Sequence, residues 1–177
     1  NISTIPDIIG SSAINNIVTV GAGSLNGKYF ILPDINGTVA FWYDVNNIGT
    51  PEPTHGASRS VKISTILSTD VDTAVAAKTY SYIITDNEFT ATVSTNTIIV
   101  TNTGKKALPA GNAGTSGFTI TQTAAGSNNI SLTGKFFTIY DQNGSVAIWF
   151  DVNNVGTQEP IHNADRSIRI SSINSGD

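Results

Sequence analysis

Residues 25–66 read LNGKYFILPDINGTVAFWYDVNNIGTPEPTHGASRSVKISTI, and residues 132–173 return as LTGKFFTIYDQNGSVAIWFDVNNVGTQEPIHNADRSIRISSI. The two copies align without a gap at an offset of 107 residues, and 25 of the 42 aligned positions are identical. A period of about a hundred residues is longer than that of solenoid repeats and indicates tandem copies of a small domain. We therefore divide the chain into an N-terminal segment (1–24), read as the closing strand of a preceding unit, a complete repeat unit (25–131) and a partial second unit (132–177).

The first copy begins with a predicted β-hairpin. Lys28–Leu32 and Val39–Val45 read as strands around Asn36-Gly37, a pair that favours a type I′ turn because both residues tolerate positive φ. The second hairpin strand is almost wholly apolar, which indicates that both of its faces are covered. Trp42 in this strand and Trp149 in its second copy are predicted core anchors.

The remainder of the unit predicts one helix among further strands. Ser60–Ile66 reads as a strand, a 3.6-residue apolar period predicts a helix from Val71 to Ile84 after N-cap candidates at residues 68–70, and alternating patterns predict a hairpin followed by a last strand, Phe118–Thr123. The predicted fold class is α+β and β-rich: tandem small domains, each a mainly antiparallel sheet of hairpins covered by one helix.

The second copy is incomplete in the sequence given. Asp177 aligns with Asp70, so the counterparts of the helix, the second hairpin and the last strand are missing. Because a half-unit exposes a sheet face and an open edge, we expect either that further chain follows or that a neighbouring molecule completes the unit. The first alternative is favoured.

Composition points away from several functional classes. Only 12% of residues are charged and the net charge is −4, so no basic surface for nucleic acid is expected. No apolar run reaches the length of a membrane span. The chain has no cysteine, which excludes disulfides and thiolate metal sites. A neutral, Thr/Asn-rich, β-rich chain of this kind is typical of virion or extracellular and cell-surface proteins.

The sequence DVNN follows the second hairpin strand in both copies and resembles the start of a calcium loop. Its oxygen-bearing candidates for a Ca²⁺ ion are Asp44, Asn46, Asp151 and Asn153. The fifth loop position is aliphatic and the twelfth is not Glu, unlike a calcium loop. The favoured interpretation is therefore an Asx-type turn without any cofactor, and a Ca²⁺ site is the alternative.

The motif E-P-x-H with a following Arg also recurs in both copies. An acid–base or metal site is one interpretation. We favour a structural or interface loop held by an Arg–carboxylate pair and a His hydrogen bond, because two ligands are too few for a metal ion. The residues concerned are Glu52, His55 and Arg59 in the first copy and Glu159, His162 and Arg166 in the second.

Several quoted patterns together resemble a known kind of module: GKYF, DxNGxVAFWYDVNNxGT and RSVKI, followed by STDVDTAVA, FTATV, IIVTNTG and GTSGFTI. The chain resembles tandem repeats of bacteriophage tail, fibre and head-associated proteins, and of large repetitive bacterial surface proteins. The resemblance covers residues 25–123 and 132–177. It implies an assembly or display role without catalytic residues.

We expect a non-enzymatic structural module of a virion fibre, tail or head decoration, or of an extracellular filament, whose partners are copies of itself or neighbouring modules. The alternative is an adhesin module that binds a cell-surface glycan or receptor with help from Ca²⁺. An enzyme is the least favoured class, because its only support is a few carboxylates such as Asp34, Asp44 and Glu52.

Overall fold

The computed structural model describes residues 10–128 and 132–172, and these two ranges form two separate compact units. The described chain is β-rich, with one α-helix and three sheets of mostly antiparallel strands, as the α+β class predicted. Its elements in chain order are β1 Ser12–Val18, β2 Tyr29–Asp34, β3 Gly37–Tyr43, β4 Arg59–Ile63, α1 Asp72–Ile83, β5 Phe89–Ser94, β6 Thr97–Lys105, β7 Thr119–Ala124, β8 Phe136–Asp141, β9 Gly144–Phe150 and β10 Arg166–Ile170.

The first unit contains two sheets where the sequence analysis predicted one. Sheet I has the strand order β2-β3-β4, and sheet II has the order β5-β6-β1-β7. The second hairpin, β5–β6, joins sheet II because β1 offers a hydrogen-bonding edge to β6 and its other edge to β7. The two predicted hairpins therefore lie in different sheets.

Strand β1 comes from the segment that we assigned to a preceding unit. It lies inside sheet II, where Ile17 is opposite Ile98 in β6 and Ile120 in β7. Ile17 is fully buried. Ser12–Val18 is thus a central strand of the same unit as the first copy, whose boundary lies before Ser12 and not at Leu25. The rest of that prediction, for residues 1–9, falls outside the described residues.

The hairpin of sheet I forms as predicted, but its turn is displaced by one residue. Asp34 pairs with Gly37, so Ile35 and Asn36 make the turn, and only Gly37 has positive φ (+146°). The Asn36 N–H donates to Asp34 Oδ1 at 2.7 Å. This Asx turn replaces the predicted type I′ turn, because the aspartate side chain satisfies the turn N–H. The same pairing recurs at residues 141–144.

Strand β4 runs parallel to β3, with Arg59 opposite Val39 and Ile63 opposite Tyr43. A parallel neighbour requires a crossover connection, and residues 44–58 make it without an α-helix. Strand alternation then gives sheet I two distinct faces. The inner face carries Phe41 and the outer face carries Trp42.

One hydrophobic core lies between the inner face of sheet I, sheet II and α1. The helix begins and ends within one residue of the prediction, and it buries Val75, Ala76, Thr79 and Ile83. Each region contributes fully buried side chains, among them Phe30, Phe41 and Tyr43 from sheet I and Ile17 and Ile98 from sheet II.

The start of α1 differs from the predicted cap. Val71 occupies the N-cap position in an extended conformation and makes no side-chain capping bond. Asp70, a predicted cap, instead accepts the Leu67 N–H at 2.7 Å and pairs with Lys78 Nζ at 2.6 Å. Asp72 stands in the first turn, where a negative charge is favourable at the positive end of the helix dipole.

The second unit contains sheet III, with strand order β10-β9-β8. Strands β8 and β9 are antiparallel and β9 and β10 are parallel, in the same residue register as sheet I. Its outer face carries Trp149, and its inner face carries Ile148. Across residues 10–128 and 132–172, no helix is long and apolar enough to cross a membrane.

Candidate functional site: the turn and loop over the outer sheet face

The carboxylate of Asp44 organises the turn after β3. It accepts the N–H groups of Ile48, Gly49 and Thr50 at 3.1–3.2 Å, and Lys62 Nζ lies 2.6 Å from Oδ2. The Lys62 bond lowers the pKa of Asp44 from 3.8 to about 2, burial opposes that shift, and the Thr50 and Gly49 hydrogen bonds add to it. These donors engage both carboxylate oxygens, and the geometry is that of an Asx-type turn.

The two asparagines of this turn shape its backbone and connect it to a neighbouring segment. Asn46 and Asn47 adopt positive φ values of 60° and 50°, a region that Asn tolerates better than most residues. The Asn46 side-chain oxygen accepts the Ser68 N–H at 2.9 Å. Asn46 therefore ties this turn to the segment that follows β4.

The second copy repeats the turn around Asp151. The N–H groups of Gly156 and Thr157 donate to its carboxylate at 3.1 and 3.3 Å, and Arg169 Nη1 lies 3.6 Å away. Burial raises the pKa of Asp151, but the Thr157 and Gly156 hydrogen bonds outweigh it, so the pKa is lowered. Asn153, the remaining Ca²⁺ candidate, has its side chain outside the described part of the chain.

A hydrogen bond between the Glu and His side chains holds the EPxH loop together (residues 50–58, and 157–165 in the second copy). His55 Nδ1 accepts the Ala57 N–H at 3.2 Å, so Nε2 carries the proton and donates to Glu52 Oε1 at 2.8 Å. A hydrogen bond from Ser60, followed by the contact with His55, lowers the pKa of Glu52. The His55 ring also lies 5.7 Å from the ring of Tyr29 in β2.

The second EPxH loop has the same geometry. His162 Nε2 lies 2.7 Å from Glu159 Oε1, Ala164 N–H donates to His162 Nδ1 at 3.2 Å, and the imidazole lies 5.5 Å from the ring of Phe136. A hydrogen bond from Ser167, followed by His162, lowers the pKa of Glu159. Each loop is therefore attached to the outer face of its own sheet.

The arginines do not hold these loops, in contrast to the prediction. Arg59 forms ion pairs with Asp34, at 2.5 Å, and with Asp86 beyond the end of α1. Since Ser60 on the outer face bonds Glu52, strand alternation turns Arg59 towards the other face. In the second copy Arg166 pairs with Asp141 at 2.5 Å.

Both tryptophans are buried, but on the outer face of their sheets and outside the main core. Trp42 is 6% exposed and Trp149 is 5% exposed. The Lys62 ammonium lies 5.6 Å from the centre of the Trp42 ring, within cation–π range. Lys62 is not among the predicted site residues, although both copies have a cation at this place, Lys62 and Arg169.

The carboxylates considered for catalysis occupy separate environments. Asp34 pairs with Arg59, Asp44 holds the turn after β3, and Glu52 holds the EPxH loop. Within residues 10–128 and 132–172, no three His, Asp or Glu side chains come together as a set of metal ligands. These carboxylates hold turns and loops against a sheet through hydrogen bonds and ion pairs.

The chain matches no protein-family model, and no curated protein matches it. The function of the chain is therefore inferred from the contacts of its turns and loops.

Proposed function

We propose that the chain is a non-enzymatic structural module, built from tandem repeats, of a virion fibre, tail or head decoration, or of an extracellular filament. One observation carries this proposal: the polar residues that recur in both copies are engaged by neighbours within their own copy. Asp44 and Asp151 hold turns, and Glu52 and Glu159 hold loops. A repeated catalytic or ligand site would instead direct such groups into a shared cleft.

The close agreement between the two loops supports the same conclusion. The His–Glu distances differ by only 0.1 Å, at 2.8 and 2.7 Å, although 17 of the 42 aligned positions differ between the copies. The substitutions leave the His–Glu hydrogen bond, the buried Trp and the Asp-held turn in place. Turns and loops that are retained while the residues around them change suit a module that occurs in several tandem copies.

The experiment is to locate the chain in its natural setting. Antibodies raised against the purified chain are applied to virus particles and surface filaments of the source, and labelled particles are examined by electron microscopy and mass spectrometry. We expect several copies per particle, at regular positions along a fibre, tail or filament. Absence of the chain from all such particles would contradict the proposal.

A glycan array tests the adhesin alternative. The intact chain is applied with Ca²⁺ and again with EDTA, next to the Asp44→Asn and Asp151→Asn variants. Under our proposal no glycan is retained in any of these conditions. Retention that EDTA and both variants abolish would instead favour the Ca²⁺-dependent adhesin.

A further inference from the structure

The outer faces of the central strands β3 and β9 are equally well covered, although Tyr140 on the outer face of the edge strand β8 is 83% exposed. Trp42 and Trp149 have almost the same exposure, and Ala40 and Ala147 beside them are fully buried. Each outer face lies under an EPxH loop that follows in the same copy. The cover of the outer face at β3 and β9 is therefore local to each copy. These two strands provide an internal control for the comparison of the inner faces.

The inner faces differ sharply. Leu32 is 1% exposed in sheet I, whereas its counterpart Ile139 in sheet III is 46% exposed. Ile168 in β10 is 54% exposed. The side chain of Asp34 is 0% exposed, and that of its counterpart Asp141 is 44% exposed. Sheet III thus exposes Ile139, Ile168 and Asp141 on the face that sheet I buries, while Val146 and Phe150 on the same face are buried.

The first unit shows what covers this face. Phe118, before β7, lies 5.6 Å from the ring of Phe30 and 5.9 Å from that of Tyr43. Phe89 in β5 lies 6.3 Å from the ring of Phe41. These contacts, with the buried side of α1, form a layer of one helix and a sheet over the inner face of sheet I.

We propose that the inner face of sheet III is a docking surface for a second layer of this kind, with the chemistry of residues 72–124, supplied by a further copy of the module. This inference rests on the proposed tandem assembly and names the partner that its second unit takes. The receiving residues of sheet III are apolar, as in sheet I. The counterparts of Phe30, Phe41 and Tyr43 are Phe137, Ile148 and Phe150.

Two polar contacts of the first unit indicate which side chains the incoming layer should carry. In the first unit Arg59 bridges Asp34 and Asp86, whereas Arg166 has only Asp141 as an ion-pair partner among the described residues. An acidic residue after the incoming helix completes that bridge. Phe150 lacks the hydroxyl group with which Tyr43 bonds α1, so the incoming helix needs no Thr at the corresponding position.

The edge strand of sheet III, β8, offers a second place at which the same incoming layer can bind. In sheet I the edge strand β2 exchanges two 2.8 Å hydrogen bonds between Ile31 and Asn112, and Tyr29 O accepts the Thr115 N–H at 3.0 Å. Within residues 132–172 no segment pairs with the corresponding edge of β8. A Cβ at Gly114 would lie 2.5 Å from Tyr29 O, so the segment that adds to this edge needs glycine at that place.

The test extends the chain by a second copy of residues 71–127 placed after residue 177, which continues the repeat without a gap because Asp177 aligns with Asp70. Hydrogen exchange of β8 and β10 is compared in the extended and original chains. We expect exchange at least about tenfold slower in the extended chain. Because sheet II has β1 at its centre, the measurement is repeated with a peptide of residues 10–20, and with the same peptide carrying Ile17→Asp as its control.

Matched variants separate docking from general stabilisation. In the extended chain Ile168→Asp, on the inner face, should abolish the protection. Tyr140→Asp, at an 83% exposed position on the outer face, should leave it intact. In the original chain both variants should unfold like the unaltered protein, since both positions are exposed.

Two results would overturn the inference. One is rapid exchange of β8 and β10 in the extended chain both with and without the β1 peptide. The other is an original chain that dimerises in sedimentation experiments and loses the dimer on Ile168→Asp, because the occupant would then be a second copy of sheet III. Neither result affects the particle labelling that tests the proposed function, so the two failures are distinguishable.

Discussion

Tyr43 Oη lies 2.9 Å from Thr79 Oγ1, and this buried hydrogen bond joins sheet I to α1. Both residues are fully buried, and burial raises the pKa of the Tyr43 hydroxyl although the bond to Thr79 acts in the opposite direction. The second copy has Phe150 in place of Tyr43. In the first unit the hydroxyl thus joins the sheet to α1, and the second copy has no hydroxyl at this position.

Tyr43→Phe should lower the free energy of unfolding of the first unit by about 1–2 kcal/mol, because the Thr79 hydroxyl is left buried without this partner. Thr79→Val should cost a similar amount. The double variant should cost less than the sum of the two, since neither polar group then remains unpaired. Urea unfolding of all four proteins measures this coupling, and strictly additive costs would contradict it.

Trp42→Ala should destabilise the first unit by about 3–5 kcal/mol, the usual cost of deleting a large buried aromatic side chain. Trp149→Ala should have a comparable effect on the second unit, because the two side chains are equally buried. Thermal unfolding followed by circular dichroism measures both. Ile161→Ala is the control: this side chain is 97% exposed, so the melting temperature should hardly change.

Acid should weaken the turn after β3. The pKa of Asp44 is about 2 in the folded protein and near 3.8 otherwise, so its stabilising effect is complete above about pH 4 and is lost as the pH falls towards 2. Asp44→Asn should therefore flatten the dependence of stability on pH in this window. Urea titrations at several pH values measure the slope, and an unchanged slope would contradict this role.

Gly37→Ala should destabilise the hairpin turn of sheet I. Gly37 has φ of +146°, and a Cβ there would lie 2.6 Å from Ser58 Oγ. Ser58→Gly in the same chain should relieve the clash but not the backbone strain, so recovery of the melting temperature is partial. Gly56→Ala is the matched control, because no heavy atom within 4 Å would meet its Cβ and its φ is not in the strained range.

Arg59→Ala and Arg166→Ala should differ in effect although they alter equivalent positions. Removing Arg59 leaves the buried Asp34 carboxylate without its ion-pair partner. The free energy of unfolding should therefore fall by roughly 1–3 kcal/mol. Arg166 and Asp141 are both exposed by more than two fifths, so the loss at this site should be distinctly smaller. Chemical denaturation of the two variants tests the difference, and equal losses would mean that the inner faces are equally covered in solution.

Local signals accounted for most of the elements. The apolar alternation around Trp42 and the 3.6-residue period after Asp70 depend on neighbours within a few positions, so the hairpins and α1 could be recognised from the sequence. The displaced turn at Asp34–Gly37 shows the limit of such signals. An Asn-Gly pair indicates a turn, but the side chain of the preceding Asp selected which residues form it.

The sequence by itself determined the duplication, most of the secondary structure and the recurrence of Asp44, Glu52 and His55 in a second copy. Only the tertiary structure decided that Ser12–Val18 is the centre of sheet II, that Trp42 faces away from the main core, and that Arg59 pairs with Asp34 and not with Glu52. These outcomes depend on which strand edges pair and on which sheet face meets a second layer. Such choices involve residues far apart in the chain, and no local periodicity records them.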